Sequence, residues 1–466
     1  MSSPTPLLSR WRRIDSVATV LWWSLSAICQ ANATLQWLSP TAELADRLSP
    51  GALIYSPGSD GFTQATSRWS VYEAPNISLV VVPSVENDVA ETVKYANQNN
   101  LPFIAVSGGH GAIITESRVQ NGIEIWMNQL NTVEIDGYVA RVDGGALTKT
   151  VSHALWQAGK QTVLASGDIK TIDRTCDLWW AMQGAGHNFG IVTSVSVKIY
   201  DIQYPDWAYE MFTFTGDKVE GLFDNLNVHL LRNGWPPVNI VNFAIFKRVP
   251  EIDVKPIIYL WIFQEGATSV DSAYSKPFHH LGPSATGVGS GTYLDVPRWL
   301  GWDSDAPSCQ NSGLANTRFP IDIRSYNVQA VRKAYDLFTD VTQKIPELNG
   351  SRFLFEGYSL QGVKAVPGES TAYAFREDNL LVAPVISWTP SGPDIARKAT
   401  DFGKRLRQII YEGTGRSELH SYVNYAFGDE TPQNWYGYER QRQQRLLGLK
   451  NNYDPDRKFS FYAPIA

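Results

Sequence analysis

Residues 75–111 read PNISLVVVPSVENDVAETVKYANQNNLPFIAVSGGHG, and this stretch decides the fold. Leu79-Val-Val-Val82 is a short β-branched run of the kind that forms a buried strand. Pro83-Ser84 offers a helix start with Ser84 as N-cap, and Val85, Val89, Val93 and Ala96 then recur at helical spacing. Asn97 to Asn100 end that helix, and Phe103 to Val106 form a second strand after Pro102. Strand, helix and strand within about thirty residues predict a βαβ unit.

Working outward, Gly122–Met127 and Val139–Val142 predict two further strands. Val151, Ala154, Leu155 and Ala158 mark a helix closed by Gly159. Thr162–Ala165 and Ile169–Ile172 flank Ser166-Gly167-Asp168, a hairpin signature. Asp177–Gln183 reads as a short helix, and Ile191–Tyr200 alternates as a half-buried strand. Residues 34–75 read as an irregular lead-in. Beyond Tyr204 the texture changes. Asp217–Leu231, Tyr326–Ile345 and Asp394–Tyr411 look helical, whereas Val238–Phe246, Ile257–Gln264, Arg352–Leu360 and Leu380–Trp388 look like strands. Their loose alternation predicts an antiparallel sheet backed by helices, and an α+β class for the whole chain. A strand at Ser421–Phe427 and a helix at Trp435–Lys450 complete the reading.

Charged residues make up 18% of the 466 residues and the formal net charge is -6. Arg12-Arg13 and the helix around Arg440 are the only basic clusters, so no nucleic-acid footprint is expected. The 16 Trp and 21 Tyr imply either large aromatic cores or a pocket that stacks on rings. Arg10, Arg12 and Arg13, the apolar run Val17–Cys29 and Ala31-Asn32-Ala33 read as a signal peptide over residues 1–33. The apolar run is too short for a comfortable membrane span, so a secreted mature chain without one is expected. Sequons at Asn76 and Asn349 fit that route. Of the cysteines, Cys29 lies in the leader, which leaves at most one disulfide, Cys176–Cys309, and no metal framework.

Three motifs could carry chemistry. Ser107-Gly108-Gly109-His110-Gly111 follows a strand, where consecutive glycines let free N–H groups cradle a phosphate. It has neither the Walker A nor the Rossmann spacing, and a glycine turn with an incidental histidine is the alternative. Gly184-Ala-Gly-His-Asn-Phe-Gly190 lies between a helix and a following strand, the reverse of the dinucleotide context, and leaves a backbone contact with a cofactor open. Tyr422-Val-Asn-Tyr425 places Tyr422 and Asn424 on one face of the expected strand and Tyr425 on the other. A tyrosine needs a depressed pKa to act as a base near neutrality, and a structural pair is the plainer reading. His279-His280 has no third ligand at metal spacing.

Taken together, the opening stretch, GIEIWMNQLNTVEI, VDGGALTKTVSHALWQAGKQT, VLASGDIKTID, DLWWAMQGAGHNFGIVT, YVNY and WYGYERQRQQRLLGLKNNYDPDRKF resemble the berberine bridge enzyme-like oxidases of the vanillyl-alcohol-oxidase type. The resemblance implies a PCMH-type FAD-binding domain of two subdomains over residues 34–203. It implies an antiparallel-sheet substrate domain over residues 204–415, and a segment 416–466 returning to the FAD domain. It implies FAD as cofactor, with His110 matching the histidine that carries it covalently and Ser107, Gly108, Gly109 and Gly111 matching the first pyrophosphate loop. Gly190 and Val192 match backbone positions near the cofactor. Tyr422, Asn424 and Tyr425 match the segment facing the flavin, with a tyrosine as base, and Glu356 matches a polar residue the central sheet points at it. The expected activity is oxidation of an alcohol, sugar or secondary-metabolite hydroxyl, with oxygen as the second substrate. One departure stands out: Thr162 runs directly into Val163 where the family has several tens of residues, including a second Gly-rich loop and a flavin-linking cysteine. Val106 also stands where many relatives have arginine. A shortened form that binds no flavin, and a secreted carbohydrate-binding protein, are the alternatives.

Overall fold

The computed structural model describes residues 40–161, 175–303 and 305–465. The expected signal peptide and the 162–172 hairpin therefore lie outside the described residues. Residues 48–465 belong to one compact unit, and the short helix Pro40–Ala45 belongs to another.

The opening stretch folds as strand β2 (Ile77–Val82), helix α1 (Glu86–Gln98) and strand β3 (Phe103–Val106). Strand β4 (Gly122–Trp126) inserts between β2 and β3, parallel to both, and β1 (Leu53–Tyr55) closes the edge antiparallel to β2. The βαβ unit thus has an intercalated strand, and the lead-in is more ordered than its sequence suggests, with β1 and a helix at Asp60–Ala65. Asp88 pins the start of α1 by accepting from the N–H groups of Ser84 and Val85 and from the Ser49 hydroxyl. A second sheet pairs β5 (Val133–Asp136), β6 (Val139–Asp143) and β8 (Ser194–Lys198), packed against α2 (Thr148–Gln157) through Val151 and Leu155. Two short strands, β7 (Lys160–Gln161) and β9 (Tyr200–Asp201), pair beside it, so the single strand expected over 191–200 is split.

The larger sheet is antiparallel. It runs β13 (Ala285–Gly291), β10 (Trp207–Phe214), β12 (Ile257–Glu265), β11 (Ile240–Lys247), β16 (Arg352–Gly357), β17 (Leu380–Trp388), β14 (Ala315–Arg318), with β15 (Ile321–Ile323) also on β17. Its alternation is clean. Phe212, Phe246, Leu260, Phe353, Phe355, Val382 and Ile386 face helices α4 (Val219–Asn225), α5 (Val328–Lys344) and α6 (Pro393–Gly413). Each fully buried phenylalanine contributes about 1.5–3 kcal/mol. Phe243, Ile245, Trp261, Phe263 and Leu354 face the other way and share a cluster with Trp69 and Ala112, on either side of the SGGHG loop. That second face positions the site. The sequence reading missed β10, β13, β14 and β15. The last two are short and carry polar residues (Asn316, Arg318, Asp322) at the positions turned to the site.

The C-terminal segment returns to the region of residues 178–192. Helix α7 (Arg440–Tyr453) packs Leu446 and Leu449 with Trp180 and Ala181 of α3 (Leu178–Ala185) and with Ala463 and Ile465. The expected helix 435–450 is broken into Pro432–Tyr436 and α7. Asn188 ties the tail down, donating to the Tyr436 hydroxyl (2.9 Å) and the Ala463 carbonyl (3.2 Å) and accepting from the Ile465 N–H (2.9 Å). Cys176 and Cys309 are free thiols, not the one disulfide their count allowed. Among the described residues no helix is long and apolar enough to cross a membrane. His279, one of the paired histidines, is held by Glu210 at 2.6 Å and abuts Phe212.

Candidate active site

The SGGHG loop leaves β3 and is braced from below. Arg68 is buried, donates to the Ala65 carbonyl and pairs with the buried Glu124 of β4 at 2.5 Å. The bracing fixes Trp69, whose N–H donates to the Gly109 carbonyl (3.1 Å). Gly109 has φ +65°, and a Cβ there would lie 3.3 Å from the Ser67 carbonyl oxygen, so glycine meets both the turn and the close approach. The N–H groups of Gly108, Gly109, His110 and Gly111 donate to no protein acceptor among the described residues. Four successive free donors on a glycine-rich turn fit a diphosphate. Glu116, one turn on, is pushed up to about 7 by burial, with Arg68 pulling down and Glu124 pushing up.

Segment Gly184–Gly190 approaches the same region. Ile113, just past the loop, shares a core cluster with Phe189, and Val192 packs against that cluster. Gly184 (φ +142°) lets the chain of residues 372–373 pass, since a Cβ would come within 2.4 Å of the Tyr373 nitrogen. Gly190 faces open space and is itself unobstructed.

The expected strand at Ser421–Phe427 is a 3₁₀ turn, Val423–Tyr425. The Tyr425 and Ala426 N–H groups bond back to Tyr422 and Val423, and the ends are anchored by Ser421 N–H to Asn434 and Ile114 N–H to Phe427. Local bonds replace a ladder, and the turn brings both tyrosine rings to one side, 5.5 Å apart. Asn424 is exposed and donates to the Tyr422 hydroxyl (2.7 Å), outside the ring contact.

Glu356 meets this turn from β16, in register with Phe243 on the face that carries Leu354. It is 1% exposed, accepts from the Tyr358 hydroxyl, feels the Tyr425 phenol beside it, and has Oε1 unpartnered among the described residues. Burial pushes its carboxyl up to about 7 against the pull of those two phenols and of Arg318. Burial likewise raises Tyr425, helped by the Glu356 charge and opposed by Arg318. The depressed tyrosine pKa that a lone base needs is therefore absent, and the proton-accepting capacity near neutrality belongs to Glu356.

Arg318, at the end of β14, joins the parts. Its guanidinium lies 4.1 Å from the Trp69 ring centroid and 4.9 Å from that of Tyr425, and Nη1 donates to the His110 carbonyl (3.2 Å). Burial lowers the His110 pKa, Arg318 lowers it further, and a hydrogen bond to the Cys309 backbone opposes both. The imidazole is therefore neutral at neutral pH. Arg318, Tyr358 and Tyr373 escaped the sequence reading. Only Tyr358, two residues beyond Glu356, carried a local signal.

Known proteins resemble this chain over most of its length. The model of an FAD binding domain matches residues 77–172. The FAD-linked oxidoreductase chyH of Penicillium rubens is 44% identical, over 97% of this chain and 100% of that protein. The chain belongs to the FAD-linked oxidoreductases. The alignment with chyH spans 499 positions against the 466 residues of this chain, so it opens gaps within this FAD-linked oxidoreductase. The fold is shared with Physcomitrella patens BBE-like 1 (TM-score 0.74, 18% identity, 92% and 99% of the two chains). It is shared also with glucooligosaccharide oxidase of Acremonium strictum (TM-score 0.73, 16% identity, 92% and 99%), whose structure is described with a 6-S-cysteinyl, 8α-N1-histidyl FAD. FAD is the cofactor, and the free N–H groups at Gly108–Gly111 fit its diphosphate.

Proposed function

We propose that this FAD-linked oxidoreductase is a secreted oxidase of a small molecule bearing a hydroxyl group, an alcohol, a sugar or a secondary metabolite, with oxygen as the final acceptor. The observation that carries the reading is the Tyr425–Glu356 pair, buried beside Arg318 on the sheet face turned to the SGGHG loop. FAD supplies hydride acceptance when bound. Tyr425 takes the proton of the substrate hydroxyl and passes its own to Glu356, so no free phenolate accumulates and the pair titrates near the Glu356 value. Arg318 offsets the negative charge that spreads over the pair. Ser107, Gly108, Gly109 and Gly111 hold the diphosphate through backbone N–H groups, with Gly190 and Val192 bordering the cofactor. The neutral His110 imidazole keeps a lone pair for covalent attachment to the flavin. A sugar substrate is supported by the fold shared with an oligosaccharide oxidase. Export is supported by the leader-like N-terminus and by the exposure of both sequon asparagines, Asn76 and Asn349.

Tyr425→Phe tests the reading. The variant keeps the ring and its contact with Tyr422 but has no hydroxyl to relay a proton. Flavin content should be unchanged, and flavin reduction by the best substrate from a panel of alcohols and oligosaccharides should slow by roughly a hundredfold or more. Reduction at the wild-type rate would remove Tyr425 from the mechanism.

A further inference from the structure

The strand register lines up three side chains across the sheet. Glu356 on β16 stands opposite Leu381 on β17, and Leu381 stands opposite Asp322 on β15. Adjacent strands lie about 4.8 Å apart, so the two acidic residues are roughly 10 Å apart at the backbone. Ile321 and Ile323 on either side of Asp322 point into the helix-backed core, which turns Asp322 to the face that carries Glu356. Leu381 is only half-buried, while Leu380 and Val382 beside it are buried on the other face, so Leu381 lies on the face that carries both carboxyls. Tyr422 feels the charge of both acids, and Tyr373 that of Asp322.

Asp322 is 7% exposed, yet Oδ2 has no hydrogen-bond partner among the described residues. Its backbone is fully engaged. The N–H donates to the His420 carbonyl (2.9 Å) and the carbonyl accepts from Arg416 Nη2 (2.5 Å). The nearby cation is committed elsewhere: Arg416 pairs with Asp378 (2.8 Å), which also holds His420 (2.5 Å). A carboxyl kept only for the fold would take one of these donors. A buried carboxyl oxygen left unpaired is costly until a ligand donates to it. Glu356 Oε1 is in the same condition at the other end of the row.

We propose that Asp322 is a substrate anchor: it accepts a second donor group of the substrate while the reacting hydroxyl lies at Tyr425 and Glu356. The site then selects molecules carrying two hydroxyl or amino groups about one six-membered ring apart. This rests on the role given above to Tyr425 and Glu356, and the test separates the two. The holoprotein is titrated calorimetrically with para-hydroxymethyl benzyl alcohol and with para-methylbenzyl alcohol, which lacks the second hydroxyl. Wild type should bind the diol roughly tenfold or more tightly than the mono-alcohol. Asp322→Ala should bind the two alike. Asp322→Asn, which keeps the volume but accepts without a charge, should weaken the preference, and it serves if the alanine variant does not fold. Equal binding of the probes to wild type, no binding of the diol, or a preference retained in both variants overturns the proposal. If the preference depends on Asp322 but Tyr425→Phe still reduces flavin at the wild-type rate, the anchor stands and the assignment of the base falls.

Discussion

Replacing Glu356 by Gln separates the chemistry of the site from its stability. The carboxyl is 1% exposed, accepts from Tyr358 and feels the Tyr425 phenol beside it. Gln can still accept from Tyr358, but it cannot take a proton. A positioned base contributes roughly 10²–10⁴-fold, so kcat/KM should fall by about that factor, read as anaerobic bleaching of the flavin in a stopped-flow experiment. The wild-type rate should rise with pH through about 7, where Glu356 ionises, and the variant should lose that limb. Stability should move the opposite way. Burial raises the carboxyl from 4.5 to about 7, so the folded state binds this proton more tightly than the unfolded chain. The penalty is absent below the unfolded value, grows as pH rises between the two, and is complete above the folded one. At about 1.4 kcal/mol per unit it reaches about 3.5 kcal/mol at most. Thermal unfolding at pH 8 should therefore show Glu356→Gln at least as stable as wild type, while at acid pH the two converge. A variant that keeps wild-type kcat/KM and the same pH limb would refute the reasoning.

Two further outcomes follow from the packing. Asn188→Ala removes three buried hydrogen bonds, one to Tyr436 and two to the C-terminal tail, and leaves the Ile465 N–H without its acceptor. Unfolding in denaturant should shift by about 3 kcal/mol, and limited proteolysis should clip the tail first. The double variant Cys176→Ser, Cys309→Ser should fold with an unchanged melting temperature, and reductant should not alter the wild-type value, because both thiols are free. A melting point that drops on reduction would show a disulfide instead.

Most of the fold was legible because its signals are local. Leu79–Val82, the helix after Pro83 and Phe103–Val106 announce themselves by composition and period, and the strands carrying Phe243, Trp261 and Phe355 do so by apolar alternation. The order of the strands was not legible, since the insertion of β4 between β2 and β3 depends on pairing between segments distant in sequence. At the site, His110 and the glycines were marked by their motif. The 421–427 segment was misread because its tyrosines and valine have strand propensity, while its conformation is set by anchors at Ile114 and Asn434. Arg318 and Asp322 were missed because their strands are only four and three residues long, too short to show a period. The role of Glu356 needed the third dimension, since nothing in FLFEGYSL says that Tyr425 will lie against it.

The central claim is that this chain holds FAD at the SGGHG loop and carries it on His110. The most direct measurement is the visible spectrum of the purified protein before and after acid precipitation, for wild type and His110→Ala. The account predicts a yellow wild-type protein whose flavin stays with the acid pellet, and a His110→Ala protein whose flavin is released to the supernatant. A colourless wild-type protein, or flavin that remains in the His110→Ala pellet, would contradict it.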